Sequence, residues 1–154
     1  KDLIDKIKKS QNFMSGTNCL RQLTFGYLDM AWFGSDNDVD NVDKFEHKAI
    51  KKTLIRKQDT PKASISTQLG HIFAGGYSAG YYSYKWAEVL DADAFEKFKE
   101  DGIFNRDTAQ SFRDNILSQG NMKHPMELYK AFRGREPKVE ALLKRDGLME
   151  EHEA

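Results

Sequence analysis

The sequence predicts an all-α fold, and three observations predict it. Apolar residues recur at three- and four-residue spacing in one segment after another, the separation that places side chains on one face of a helix. Gly34, Gly102, Gly120, Gly134 and Gly147 stand at the ends of those segments, where a helix stops. No run alternates apolar and polar residues as a half-buried strand does, and no hairpin turn or internal repeat occurs. Residues 1–154 read as a single helical domain.

Taken in order, Leu3, Ile4 and Ile7 recur with lysines between them, a helix entered midway with no capping residue before it. Cys19, Leu20, Leu23, Tyr27, Met30 and Ala31 trace an apolar stripe from about Thr17 to Phe33, expected to be buried, with Arg21 and Gln22 on the polar side. Val42, Phe45, Ala49 and Leu54 continue the helical period. Asp36, Asp38 and Asp40 before them could open a calcium loop, but Asn41 stands where that loop needs Gly and His47 where it needs a bidentate Glu. Acidic and Asn-rich residues before a helix are simpler as caps and dipole partners. Residues 58–70 are polar, contain Pro61 and read as a loop. A helix is expected through Asp93 and Phe95 to about Phe98, ending near Gly102. Asn105 caps the next, through Phe112, Ile116 and Leu117. Pro125 opens a short one through Leu128, Tyr129 and Phe132, and Pro137 and Gly147 bracket the last. The final five residues are expected to be unstructured.

Composition excludes several classes. The chain carries 24 basic and 24 acidic residues, so net charge exerts no pull on nucleic acid or an anionic membrane. Lys48, Lys51, Lys52, Arg56 and Lys57 make one segment basic, but it lacks interleaved aromatics and reads as a solvated helix face. A lone Cys19 rules out an internal disulfide and fits a reducing, cytoplasmic setting. No apolar run approaches the roughly 18 residues of a membrane span, and no secretory leader is visible. With Lys1 in first place, the native start is expected to lie elsewhere. Hydrophobic residues make up 39% of the chain, below the usual range, and the mean hydropathy is -0.72. Such a chain is either a solvated helical domain or a piece whose natural partner surface lies outside it.

The stretch Gly70 to Leu90 departs most from average composition. It holds four of the eleven glycines (Gly70, Gly75, Gly76, Gly80) and four of the six tyrosines (Tyr77, Tyr81, Tyr82, Tyr84). Gly75-Gly76 breaks the backbone pattern, and a helical one follows. At about 100° per residue Tyr77, Tyr81 and Tyr84 share a stripe, with Glu88 one turn further, while Tyr82, Trp86, Val89 and Leu90 face the other way, toward a core. Spacing alone leaves two readings open: tyrosines packed inside with their hydroxyls satisfied, or a surface holding a polar ligand.

The run His71-Ile72-Phe73-Ala74-Gly75-Gly76-Tyr77-Ser78-Ala79-Gly80-Tyr81-Tyr82-Ser83-Tyr84 resembles the signature near the C-terminus of the zinc oligopeptidases of the thimet oligopeptidase family, which includes peptidyl-dipeptidases. Gly102-Ile103-Phe104, Ser111 to Ser118, Phe132-Arg133-Gly134-Arg135-Glu136-Pro137 and Gly147-Leu148 match the same tail. Asn12-Phe13 and Leu20-Arg21-Gln22-Leu23 fit the helix that precedes the signature. The family holds zinc on a helical HExxH motif plus a later Glu. Here His47, His71, His124 and His152 include no pair four apart, and no HExxH occurs. The resemblance therefore implies the C-terminal part of a catalytic domain without its metal centre: zinc in the parent enzyme, none bound by this piece.

Other chemistries fail on residue type. Gly70 and Gly75 have a phosphate-loop gap, but Gly76-Tyr77 replaces Lys-Ser/Thr. Cys19 lies within an apolar stripe, and no G-x-S-x-G elbow is present. His47 and His124 read as surface or cap residues. In the resembled enzymes a zinc-bound water attacks the peptide carbonyl, and the opposite wall of the cleft stabilises the charge that develops. That wall carries over onto Tyr84 as donor to the oxyanion, His71 beside it, and Tyr77 and Tyr81 holding the substrate backbone or its C-terminal carboxylate. Gly75 and Gly76 match the loop that lets the wall close. The implied partners are a short peptide and the remainder of the parent catalytic domain, with neither nucleic acid nor membrane. The alternative is a non-catalytic helical interaction module in which the tyrosines are packing.

Overall fold

Residues 2–34, 38–55 and 63–149 are described by a computed structural model, and they are helical, with no strand among them. The chain divides into two compact units, Lys1–Lys85 and Trp86–Ala154.

In the first unit, α1 (Asp2–Gln11) carries Leu3, Ile4 and Ile7 exposed and an Asp2–Lys6 ion pair one turn apart. A break at Met14, in the left-handed region at φ 58°, separates it from α2 (Ser15–Phe33). Gly34 ends α2 by donating its N–H to the Met30 carbonyl, so the sequence limits hold. The buried face does not. Leu23, Tyr27 and Met30 of the apolar stripe are exposed, and Thr24, Leu28 and Asp29 are buried instead. The polar groups can go inside because each finds a partner: the Thr24 hydroxyl donates to the Leu20 carbonyl and meets the Thr53 hydroxyl at 2.7 Å.

Asn41 caps α3 (Val42–Ile50), its side chain accepting from the Lys44 N–H, so this part of the acidic stretch acts as a cap. Asp36 and Asn37, at the start of the calcium-loop pattern, lie outside the described residues, as do Arg56, Lys57 and the final EEHEA. The helix stops at Ile50, short of the expected Leu54; the Thr53 N–H donates to the Ile50 carbonyl in a turn. Glu46, on α3, is buried and gathers residues 64–66 around its carboxylate, accepting from the Ser64 hydroxyl, the Ile65 and Ser66 amides and the Ser66 hydroxyl at 2.7–2.9 Å. Leu28, Ile50 and Ile72 form the fully buried apolar positions of this unit.

In the second unit, α5 (Ser83–Asp101) packs through Val89 and Ala92 on Ala141 and Leu142 of α8 (Glu140–Arg145). A second cluster joins Ala94 to Tyr129 and Phe132 of α7 (Pro125–Arg133), with Phe98 and Phe112 against it. Asn105 caps α6 (Arg106–Phe112), accepting from the Asp107 and Thr108 amides, as its sequence position predicts. The continuation over Arg113–Leu117 is not regular α-helix but a π-turn, in which the Ser118 N–H reaches the Arg113 carbonyl five residues back. His124 caps α7 through its ring Nδ1, and Gly134 closes it at φ 80°.

Candidate functional site

The site lies within the first unit, and its support begins on α2. Trp32 and Phe33 at the end of α2 meet Phe73 at ring distances of 5.7 and 5.4 Å, and Ile72 is fully buried. These contacts hold a one-turn helix, α4 (Gly70–Ala74), where the sequence suggests only the end of a loop. His71, on its other side, is exposed. Gly75 ends α4 by donating its N–H to the His71 carbonyl at 3.1 Å. A Cβ on Gly75 would stand 2.6 Å from that oxygen and 3.1 Å from the imidazole, so a side chain here displaces His71. Gly76 follows at φ 75°, in the left-handed region that glycine enters without cost.

The chain then folds back on itself. Tyr77 and Tyr81 are not helical: residues 77–82 form turns, and α5 begins only at Ser83. The helical stripe expected from spacing is therefore corrected, yet the rings converge. The reason is a reversal of the backbone at Ala79, φ 54°, rather than a helical period. The Ser78 hydroxyl donates to the Ile72 carbonyl at 2.6 Å, and the buried Asp29 carboxylate accepts from the Ala79 and Tyr81 amides at 2.9 Å each.

Four rings result. His71 lies 4.3 Å from Tyr77 and 5.9 Å from both Tyr81 and Tyr84. Tyr84 stacks on Tyr77 at 5.6 Å and touches Tyr81 at 5.2 Å. The Tyr84 hydroxyl is 3.4 Å from His71 Nε2, and the Tyr81 hydroxyl donates to Gln22 Oε1 at 3.1 Å. Tyr77 and Tyr84 stay 38% and 40% exposed, which decides against buried packing for those two rings in this chain. Contact with the Tyr77 hydroxyl, and to a lesser extent burial, pushes the Tyr84 phenol above its ordinary value. Burial raises Tyr81 as well, partly offset by the Arg21 guanidinium. A phenol held above its usual value keeps its proton at neutral pH and can donate it in a hydrogen bond.

Tyr82, expected to face the core, is exposed instead, because the turn and not a helix sets its direction. Asp29 was not predicted as part of the site. Its one signal in the sequence is an acid set within the apolar run Tyr27-Leu28-Asp29-Met30-Ala31-Trp32-Phe33. Among the described residues, no three His, Cys, Asp or Glu side chains converge so as to hold a metal ion. The donor set here does not fit a zinc centre, and His152 lies outside the described residues.

The helical scaffold thus brings one imidazole and three phenols together beside a glycine turn. The chain belongs to Peptidase family M3, whose pattern it matches over residues 1–148. It is 46% identical over 149 residues to "Oligopeptidase A" of Escherichia coli (strain K12), an alignment covering 96% of this chain and 22% of that protein. It is 38% identical to "Organellar oligopeptidase A, chloroplastic/mitochondrial" of Arabidopsis thaliana, covering 96% and 19%. To "Dipeptidyl carboxypeptidase" of Salmonella typhimurium it is 36% identical, covering 96% and 22%. The chain thus spans about a fifth of the length of the curated relatives it matches.

Proposed function

We propose that this chain is the C-terminal, substrate-binding part of the catalytic domain of a zinc metallo-oligopeptidase that hydrolyses short peptides. The observation that carries the proposal is the convergence of His71, Tyr77, Tyr81 and Tyr84, with His71, Tyr77 and Tyr84 exposed. Tyr84 donates to the oxygen of the scissile carbonyl as negative charge develops there. His71, 3.4 Å away, orients that hydroxyl. Neutral phenols suit the role because they donate strongly without bringing a charge that must be desolvated. Tyr77 and Tyr81 hold the peptide backbone or its C-terminal carboxylate, and Gly75-Gly76 lets the wall close on it. The relatives' names, oligopeptidase A and dipeptidyl carboxypeptidase, support a peptide substrate. The metal is held by residues outside this chain, in the remainder of the catalytic domain, so the chain alone neither binds zinc tightly nor turns over peptide. A cytoplasmic location fits the lone cysteine; among the described residues no helix is long and apolar enough to cross a membrane.

The test is steady-state kinetics of the complete enzyme. Tyr84→Phe is expected to lower kcat by roughly ten- to a thousandfold with KM little changed, the range for one donor to a developing oxyanion. Tyr81→Phe is expected to act mainly on KM, and Tyr82→Phe to leave both nearly untouched. A Tyr84→Phe enzyme with undiminished kcat refutes the assignment.

A further inference from the structure

The geometry points to Asp29 as a positioning residue that holds the turn at 79–81 and, through it, aims the phenols of Tyr81 and Tyr84. This inference rests on the function proposed above and assigns a role to a residue that does not touch the ligand. Asp29 lies on α2, fifty residues before the turn, and is fully buried. Both carboxylate oxygens are used: Oδ1 accepts the Ala79 N–H and Oδ2 the Tyr81 N–H, each at 2.9 Å. A buried carboxylate is costly to desolvate unless it is matched in this way, and two charge-assisted bonds to amides two residues apart are among the stronger contacts a turn can receive.

The turn needs such a hold. Ala79 sits at φ 54°, which an L residue other than glycine adopts at a cost and keeps only when its surroundings over-determine it. Asp29 grips the amide of that very residue. The same face of α2 supports Tyr81 at two further points, one and two turns earlier. Phe25 packs its ring edge-on at 5.5 Å, and Gln22 Oε1 accepts a hydrogen bond from the phenol at 3.1 Å. Tyr81 is thus fixed at its backbone, its ring and its hydroxyl by one stripe, Gln22–Phe25–Asp29. Tyr84, the second residue of α5 and 5.2 Å from Tyr81, inherits that position. Misplacing a donor by about 1 Å can lower a rate by on the order of a hundredfold, so the stripe acts on the chemistry without contact.

Asp29→Asn is nearly isosteric but turns an N–H toward one of the two amides. In the complete enzyme, assayed with a quenched fluorescent peptide, it is expected to lower kcat about tenfold or more and to raise KM in the same direction as Tyr81→Phe. Combined with Tyr84→Phe it is expected to slow the enzyme no further than Tyr84→Phe does alone, because both remove the same aimed donor. A merely structural role gives multiplying losses instead, and that result overturns the inference while leaving the slowed Tyr84→Phe, and the proposed function, standing. Wild-type kcat in Tyr84→Phe alone overturns the proposed function and this inference with it. Hydrogen exchange on the unmodified enzyme needs no variant to fold: the Ala79 and Tyr81 amides are expected to exchange at least tenfold more slowly than that of Gly76 after correction for sequence. Equal rates overturn the inference.

Discussion

Gly75 and Gly76 are adjacent but are required for different reasons. At Gly75 a side chain meets the His71 carbonyl and ring, whereas at Gly76 the neighbourhood is open and only the backbone angle, φ 75°, excludes one. Gly76→Ala is therefore expected to cost about 1 kcal/mol in thermal or denaturant unfolding, the usual left-handed penalty, with little displacement of the rings. Gly75→Ala is expected to raise KM and lower kcat together, because it pushes His71 out of the cluster. Glu46 offers a pH-dependent readout of the same unit. Burial pushes its carboxyl up, but the Ile65 and Ser66 amides and the Ser64 and Ser66 hydroxyls outweigh burial and hold it below the usual range. A carboxyl lowered on folding stabilises the protein above its unfolded value of about 4.3, and that contribution is lost as pH falls through the lower folded value. Glu46→Gln should accordingly be less stable than the native protein at pH 7. The gap is expected to narrow in melts taken below about pH 4.

Among the elements, α5 and α7 are held together by an ionic centre as well as by apolar contact. Asp93 of α5 is 1% exposed and is gripped by Arg135 through two bonds of 2.7 and 3.0 Å, with the Tyr129 hydroxyl donating at 2.7 Å. Arg133 reaches the Asp93 carbonyl and forms a two-bond pair with Glu100. The run Arg133-Gly134-Arg135 thus acts on α5 as a unit. Gly134, at φ 80°, turns the chain so that both guanidiniums face α5. Asp93→Ala leaves Arg133, 7% exposed, short of one partner and Arg135 without its carboxylate. Removing one partner of a buried pair costs about 3 kcal/mol or more, readable as a shift in the denaturant midpoint. Asn105→Ala, which loses only a cap, is expected to cost about 1 kcal/mol in the same measurement.

For the molecule as a whole, surface composition is the informative quantity. Phe104 is 96% exposed, Met122 81% and Phe13 76%, and Leu3, Leu117 and Trp86 are open as well. Such apolar exposure in a chain spanning about a fifth of its relatives' length is what a separated piece of a larger core presents. On its own the chain is expected to bind an apolar dye and to self-associate in sedimentation. A strictly monomeric species with no dye-binding surface would count against that expectation.

Local periodicity and its punctuation were enough to determine the all-helical class, the limits of α2, the Asn105 and Pro125 starts and the Gly134 stop, because each depends on residues within a turn or two of one another. The family, too, was legible, since it rests on an ordered run of residue types. What periodicity could not decide was direction. It buried the apolar stripe of α2, whereas Thr24 and Asp29 went inside, because Thr53 and the 79–81 backbone, far away in sequence, offered them partners. It also drew Tyr77, Tyr81 and Tyr84 on a helix, when a turn brings them together. That turn exists because a carboxylate fifty residues earlier holds Ala79 in a conformation its own neighbours do not favour, and only tertiary structure supplies such a contact.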